Sequence, residues 1–384
     1  MSKWKKVRLG DYIHEYSERN KENADIPVFS VTNSNGFCTE YFSKEVASKD
    51  KTTYKIVKKG FFAYNPSRIN VGSVDWLRDK NEVIVSPLYN VFSVDDGIDQ
   101  QYLYYYLKSP IGLYYIKELA SGSVRDNLKF SILSEFRIPL PEIKLQKEVA
   151  KTLDRIVEII SICNTILETL DLLVKSRFVE MFGNPVFNSM NWQTVPLGEL
   201  TTKIGSGATP KGGRESYGTE GISLIRSMNV HNGYFEFKDL AHISNEQAEK
   251  LDNVTINDND VLLNITGASV ARCCIVPSDV LPARVNQHVC IIRCKSDILP
   301  IFVCGVLTND NYQKHLWGIA GSGATREAIT KQQIEKLTMI VPPLALQEQF
   351  ADFVAHTDKS KLAVKQVLEK AETLKKALMQ EYFG

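Results

Sequence analysis

Two similar stretches of sequence decide the fold, PLPEIKLQKEV at 139–149 and IVPPLALQEQF at 340–350. In each, proline stands just before a run that contains neither proline nor glycine, as at the start of a helix. Both runs end in Phe-Gly, at Gly183 and at Gly384. Glycine is the residue that most often ends a helix, so the sequence predicts two long helices of nearly equal length.

The two predicted helices carry apolar seams. Along the first, apolar residues recur at alternating gaps of four and three, the heptad pattern of a coiled coil. The second seam includes Val364, Val367 and Ala371 and is interrupted at Thr357 and Lys361. Both seams are buried if the second helix folds back antiparallel along the first. The helix-interface residues predicted in this way are Val149, Leu153, Ile156, Ile160, Leu167, Leu170, Phe350, Val354, Leu374 and Leu378.

The repetition extends beyond the helices. Trp-x-x-Val-x-Leu-Gly followed by an acidic residue begins at Trp4 and again at Trp192, 188 positions later, whereas Gln146 and Gln347 are 201 positions apart. Ser-Gly-x-x-Arg likewise appears at 121–125 and at 322–326. The frame of the unit is therefore duplicated while its interior loops differ in length. Such a chain suits the recognition of two features at a fixed separation.

The globular parts are predicted to be α+β. Short β-prone runs alternate irregularly with helices, without the regular period of a doubly wound parallel sheet. The predicted organisation is a globule at 1–141, a long helix at 142–183, a second globule at 184–343 and a second long helix at 344–384. We expect two globules held apart by a two-helix strut, with quasi two-fold symmetry. The alternative is two unrelated domains with each helix packed on its own globule.

Composition is that of an ordinary globular protein. Hydrophobic residues make up 43% and charged residues 24% of the chain, and no apolar run is long enough to span a membrane. The seven scattered cysteines favour reduced thiols and a cytoplasmic location. The 46 basic and 45 acidic residues nearly cancel, so composition alone does not indicate nucleic-acid binding.

Catalytic and metal-binding patterns are weak. The stretch NPVF at 184–187 is similar to a box of adenine methyltransferases, but it follows a helix end and no glycine-rich cofactor loop accompanies it. The glycine-rich stretch 205–213 lacks the Gly-Lys-Ser/Thr ending of a nucleotide-binding loop. His288, Cys290 and Cys294 lack the turn of a zinc knuckle. The sequence therefore predicts a non-catalytic chain without a metal or cofactor of its own.

Polar residues recur at matching places in both globules. Asn65 and Arg68 follow a predicted strand in the first globule, as Asn264 and Thr266 do in the second. Asn, Gln and Arg side chains can read base edges, whereas Ser, Thr and Tyr commonly contact phosphates. For any one of these residues taken alone, a solvated loop or turn is the better interpretation. The predicted DNA-binding residues are Asn33, Asn65, Arg68, Ser86, Tyr89, Arg125, Ser206, Thr209, Arg226, Asn229, Asn264, Thr266, Gln287, His288 and Arg326.

With these motifs in this order, the chain resembles the specificity subunit of type I restriction-modification systems over essentially its whole length. The resemblance implies two target recognition domains that each read one half of a split sequence in double-stranded DNA. It implies that the helices set the gap between the halves and dock two modification (methyltransferase) subunits. S-adenosylmethionine, and ATP and Mg²⁺ where restriction subunits join, would be bound by those partners. Two rivals stay open: the specificity component of a methylation-only assembly, and a DNA-independent protein scaffold.

Overall fold

The computed structural model describes residues 4–39, 50–120, 127–209, 213, 217–321 and 327–384. The chain forms two compact units: unit 1 comprises Met1–Thr165 and Val364–Gly384, and unit 2 comprises Ile166–Ala363. Each long helix is thus divided between the units, whereas the sequence-based division treated each helix as a segment of its own. Every unit contains one globule and one half of each long helix.

Unit 1 is built on an antiparallel sheet followed by helices. Its strands are β1 (Lys6–Arg8), β2 (Ile13–Tyr16), β3 (Ser30–Thr32), β4 (Gly36–Cys38), β5 (Lys55–Lys58), β6 (Phe62–Tyr64), β7 (Val74–Trp76), β8 (Glu82–Val85), β9 (Asn90–Val94) and β10 (Arg137–Pro139). Its helices are α1 (Gln100–Lys108), α2 (Pro110–Ala120), α3 (Phe130–Leu133) and the first part of α4 (Ile143–Phe182). The central sheet has the order β2-β9-β6-β7, and the pairs β1-β10, β3-β4 and β5-β8 lie outside it.

Unit 2 repeats this plan. Its strands are β11 (Gln193–Pro196), β12 (Thr201–Ser206), β13 (Ile222–Ile225), β14 (Val230–His231), β15 (Tyr234–Phe235), β16 (Ala241–Ile243), β17 (Val261–Asn264), β18 (Cys273–Ile275), β19 (Ala283–Val285), β20 (Val289–Cys294) and β21 (Thr338–Val341). Its helices are α5 (Asn245–Glu249), α6 (Pro300–Thr308), α7 (Asp310–Gly321), α8 (Lys331–Glu335) and the first part of α9 (Leu344–Phe383). The central sheet, β12-β20-β17-β18, has the same strand order as in unit 1, and a second sheet, β16-β13-β19, contains the parallel pair β13-β19. The mixed, mainly antiparallel content confirms the α+β prediction.

A buried glutamine explains the repeated Leu-Gln motif. Gln146 of α4 and Gln347 of α9 are both 0% exposed. The Gln146 amide accepts a hydrogen bond from the backbone N–H of Asp99 at 2.9 Å and donates to the carbonyl of Pro141 at 2.8 Å. Gln347 makes the same two kinds of bond, with Leu299 and Pro342, both at 2.9 Å. Each glutamine therefore joins the start of its helix to the loop that follows the central sheet.

Within each unit the two helix halves pack antiparallel. In unit 1, Val149 and Leu153 near the start of α4 share a core cluster with Met379 and Phe383 at the end of α9. In unit 2, Phe178 at the end of α4 contacts Phe350 near the start of α9, with ring centroids 5.5 Å apart. The opposite polarity of these contacts confirms the predicted antiparallel coiled coil.

The seam of α4 follows the heptad pattern. Val149, Leu153 and Ile156 are buried there, and the predicted residues further along are half-buried, namely Ile160, Leu167 and Leu170. The helix stops at Gly183, whose φ of +73° is the left-handed conformation that glycine adopts readily.

Part of the buried seam of α9 is displaced by one residue from the predicted positions. Leu374 is 50% exposed, and the neighbouring Lys375 is half-buried in its place. Thr357 and Lys361, taken as an interruption, belong to the seam: Thr357 is buried, and the Lys361 ammonium contacts Asp171 of α4 at 2.7 Å. The prediction counted only apolar side chains, but the aliphatic stem of a lysine can be buried while its charge finds a partner.

Candidate nucleic-acid interface

In both units the same kind of turn joins an inner strand of the central sheet to the edge strand beside it, β6 to β7 in unit 1 and β17 to β18 in unit 2. In unit 1 the N–H of Asn65 donates to the carbonyl of Ser73 at 3.2 Å, and in unit 2 the N–H of Asn264 donates to that of Arg272 at 2.8 Å. In both turns the residue just before the hydrogen-bond acceptor has a left-handed backbone conformation. In unit 1 this residue is Gly72, before Ser73, with a φ of +90°. Its counterpart Ala271 has a φ of +71°, an uncommon conformation for a residue with a side chain.

A second turn precedes the neighbouring strand, β9 or β20. In unit 1 the N–H of Tyr89 donates to the carbonyl of Ser86 at 3.0 Å, and in unit 2 the N–H of Val289 donates to that of Asn286 at 3.4 Å. The Asn286 side chain also accepts the N–H of His288 at 3.0 Å. Ser86 thus corresponds to Asn286.

Strand pairing brings the two turns of a unit to one end of its sheet. Tyr64, where β6 ends, pairs with Asn90, where β9 begins. Asn264, where β17 ends, pairs with Val289, where β20 begins. We call residues 65–73 with 86–88 turn face 1. Turn face 2 consists of residues 264–272 with 286–288, together with 206–209 at the end of β12, which also pairs with β20.

A chain of side-chain hydrogen bonds crosses turn face 2. The Thr209 hydroxyl donates to the Gln287 carbonyl oxygen, and the Gln287 amide nitrogen lies 3.0 Å from Nε2 of His288. The other ring nitrogen, Nδ1, lies 2.5 Å from the hydroxyl of Thr266. With Gln287 donating, Nε2 must accept, so the proton of a neutral ring sits on Nδ1 and points at Thr266. Three loops that are distant in sequence are held together at this surface.

Turn face 2 is polar and partly exposed. Ser206, Thr209 and Gln287 are exposed, and Thr266 and His288 are half-buried. The four bonded side chains among them can exchange their present partners for the edge of a base or a phosphate oxygen, because their bonds are made by neutral side chains at the surface.

Arg226 follows β13 in unit 2. Its guanidinium lies over the ring of Tyr217 at 5.4 Å and donates to the carbonyl of Asp239. Its Nε atom is buried and has no hydrogen-bond partner among the described residues. Arg226 is thus held by its aromatic neighbour while part of its donor capacity is unused.

Three predicted contact residues have structural roles. Asn229 and Asn264 are both 0% exposed, and their amides donate to backbone carbonyls, of Glu236 at 2.9 Å and of Ser227 at 2.8 Å respectively. Tyr89 belongs to a buried cluster of unit 1. Because these three side chains are buried, they shape the loops and do not face a ligand.

Four other predicted residues of unit 1 lie at or beside turn face 1, namely Asn33, Asn65, Arg68 and Ser86. Arg68 is exposed, and the Asn65 side chain accepts the N–H of Ser67 at 3.1 Å, which fixes the start of the turn. Asn33 is exposed in the β3–β4 turn, where its carbonyl accepts the ammonium of Lys108 at 2.7 Å. Burial lowers the pKa of Lys108, and the charge of Asp75 opposes that shift. Arg125 and Arg326 lie outside the described residues.

Arg78 marks a further cationic site that the sequence did not reveal. Its guanidinium lies over the rings of Trp76 at 4.6 Å and Tyr104 at 5.0 Å. It also donates to Asp75 at 2.8 Å. A cation so fully engaged links β7 to α1 and has little left for a ligand. The sequence carried no signal for it, because its aromatic partners come from two separate elements.

Cysteine and histidine side chains in the described part of the chain do not converge on a metal site. Within the ranges that the structure describes, no group of three or more His, Cys, Asp or Glu is arranged to hold an ion. Burial raises the pKa of the Cys290 and Cys294 thiols to about 12. Both are therefore protonated near neutral pH.

The outer sides of the long helices carry exposed apolar residues. On α4 these include Ile159 and Ile162 in unit 1 and Leu172 and Leu173 in unit 2. They lie off the heptad seam, so pairing with α9 does not bury them. Among the described residues, no helix has the length and apolar character needed to cross a membrane.

Comparison with known proteins gives one consistent family. The family model for the type I restriction modification DNA specificity domain matches residues 1–172 and 190–373. The type I restriction enzyme MjaVIII specificity subunit of Methanocaldococcus jannaschii is 21% identical over 392 residues, covering 98% of this chain and 91% of the relative. The MjaIX specificity subunit of the same organism is 26% identical over 294 residues, covering 72% of this chain and 66% of the relative.

A solved structure shares the fold. The crystal structure of a type I restriction-modification system S subunit from M. genitalium covers 100% of this chain and 96% of its own, with a TM-score of 0.61 and 17% identity. The two matched ranges of the family model coincide with the internal duplication read from the sequence.

Proposed function

The chain belongs to the type I restriction-modification DNA specificity family, and from that premise we propose that it selects a split DNA sequence, each turn face reading one half. In this proposal the chain selects the DNA target, and the subunits assembled around the chain carry out the chemistry. Unit 1 and unit 2 are the two target recognition domains in this proposal.

One observation carries the proposal. The two turn faces share a backbone frame, held by the bonds from Asn65 to Ser73 and from Asn264 to Arg272, but they present different side chains. A retained frame with altered surface chemistry is what two readers of different base sequences require. A scaffold that binds one protein twice would be expected to keep its surface as well.

On turn face 2 we assign base reading to Gln287, because an exposed amide can donate to and accept from one base edge. Arg226 suits either a guanine or a phosphate, since its half-buried side chain ends in a guanidinium with several donors. The hydroxyls of Ser206, Thr209 and Thr266 suit phosphate contacts that fix the orientation of the unit. His288 orients Gln287 and Thr266 through its two ring nitrogens.

On turn face 1 we assign phosphate or base contacts to Arg68 and Asn33, which are exposed. Asn65 and Ser86 hold the two turns through their side chains. Arg125 and Arg326 stay in the proposal on sequence grounds, as cations at matching places in the two halves.

The exposed apolar residues of α4 are the proposed docking surface for two modification subunits, and the helices set the gap between half-sites. A net charge of +1 fits a chain that shares its grip on DNA with partners. The chain itself is non-catalytic in this proposal. S-adenosylmethionine belongs to the modification subunits, and ATP and Mg²⁺ belong to restriction subunits where these are present, all in the cytoplasm.

The proposal is tested by mapping methyladenine across the genome, with and without this chain, in cells that express its partner genes. We expect a split motif with methyladenine in each half that disappears on deletion. The replacements Gln287→Ala and Arg226→Ala should relax or abolish recognition in one half only. Equal loss in both halves, or no split motif with the partners expressed, would contradict independent readers and leave the scaffold alternative.

A further inference from the structure

Turn face 1 presents a leucine to solvent. Leu88 is 78% exposed, although a leucine normally buries its side chain. It stands at the tip of the turn before β9, where its N–H lies 3.5 Å from the hydroxyl of Ser86. The position is therefore defined by the turn and not by packing of the side chain.

The turn that carries Leu88 is rigid on both sides. Pro87 precedes it and fixes one backbone torsion angle. Tyr89 follows it and is buried, with its hydroxyl accepting the N–H of Val31 at 3.4 Å. Its carbonyl accepts the ammonium of Lys55 at 2.7 Å. A side chain on such a turn loses little backbone freedom when it binds a partner.

The equivalent position in unit 2 is polar. Counting from the matched turn residues Ser86 and Asn286, Leu88 corresponds to His288, which is hydrogen-bonded to Gln287 and Thr266. The two turn faces thus carry different chemistry at a position where their backbones agree.

In the major groove of DNA the distinctive apolar feature of a base edge is the 5-methyl group of thymine. We propose that Leu88 packs against a thymine methyl group in the half-site read by unit 1, and so selects thymine at that base pair. The inference rests on the proposed function, because it requires turn face 1 to face the major groove. Arg68 and Asn33, exposed at or beside the same face, would supply the polar contacts that hold it there.

The test uses the full chain assembled with its modification subunits, acting on duplexes that contain the mapped split site. Each thymine of the unit 1 half-site is replaced singly by deoxyuridine, which removes only the methyl group. We expect one such replacement to lower the methylation efficiency about fourfold, the effect of withdrawing one methyl-sized contact. In Leu88→Ala the thymine and deoxyuridine duplexes should be methylated equally.

Leu88→Met keeps an apolar side chain of similar reach and should restore the preference for thymine. Leu119→Ala, at an exposed leucine of α2, is the matched control and should leave it unchanged. Leu88 contributes little to the core, so Leu88→Ala should fold normally.

Three results would overturn the inference: a unit 1 half-site without thymine, no effect of any deoxyuridine in the wild-type complex, or a methyl effect that persists in Leu88→Ala. The second result would also follow if Leu88 inserted between base pairs as a wedge, a different contact that does not depend on the methyl group. If the wild-type complex methylates no split site at all, the proposed function fails and this inference fails with it.

Discussion

Replacing the buried glutamine at the start of α4 should destabilise unit 1 selectively. Gln146 accepts the N–H of Asp99 at 2.9 Å and donates to the carbonyls of Gly97 at 3.0 Å and Pro141 at 2.8 Å. Leucine has a similar volume but bonds to none of them. In Gln146→Leu these three backbone groups therefore lose the hydrogen bonds that the buried glutamine amide made with them.

The size of the effect follows from those three groups. A buried polar group that loses its partner costs about 1–3 kcal/mol, and a loop can relax to recover part of this. We expect Gln146→Leu to lower the free energy of unfolding of unit 1 by about 3–5 kcal/mol. Gln347 is bonded to two backbone groups, of Leu299 and Pro342, so Gln347→Leu should cost unit 2 about 2–4 kcal/mol.

Hydrogen exchange followed by mass spectrometry measures each unit separately in the intact chain. In Gln146→Leu the amide of Asp99 and its neighbours should lose protection, and in Gln347→Leu that of Leu299 should do so. Gln349→Leu, at an exposed position of α9, is the matched control and should change little. A Gln146→Leu variant within about 0.5 kcal/mol of this control, or equal loss of protection in both units, would refute the reasoning.

Three further predictions concern loop geometry, the helix end and the thiols. A Cβ atom added to Gly207 would lie 1.7 Å from a carbonyl oxygen at the end of β19, whereas a Cβ atom added to Gly205 would have no neighbouring atom within 4 Å. Gly207→Ala should therefore impair methylation at the unit 2 half-site, and Gly205→Ala should not. Phe383 is buried against the rings of Tyr102 and Tyr106, so Phe383→Ala should lower the free energy of unfolding of unit 1 by about 3–5 kcal/mol in denaturant titrations, and an unchanged midpoint would contradict this. Burial raises the pKa of Cys290 to about 12, so this thiol stays protonated at pH 8 and should react with iodoacetamide only after unfolding; mass spectrometry of the alkylated native chain would reveal the contrary.

The sequence was most informative where structure depends on neighbours along the chain. Prolines before the helices, Gly183 after α4 and the four-three spacing of apolar residues act within a few residues, and they located both helices closely. The repeated Leu-Gln motif also marked a shared feature, although its purpose appeared only when Gln146 and Gln347 were found buried.

The seam of α9 shows where local pattern stops being sufficient. At 374–375 the chain offers Leu-Lys, and a count of apolar residues selects Leu374. The partner helix selects Lys375 instead, since antiparallel packing must keep one face inward through Thr357 and Lys361. A polar residue of a seam, such as Lys361, can be recognised only when its partner on the other helix is known, which for Lys361 is Asp171.

The candidate interface likewise combines features that the sequence predicted with features that only the structure revealed. Sequence by itself determined that the chain is a duplicated α+β frame with two long helices, because those features arise from spacing and turn residues. Only the tertiary structure decided which polar side chains face outward. Asn229 and Asn264 read as DNA contacts but are buried among backbone carbonyls, whereas the exposed Leu88 carried no signal at all. Exposure and hydrogen-bond partners depend on residues far apart in the chain, and strand pairing, not sequence order, brings those residues together.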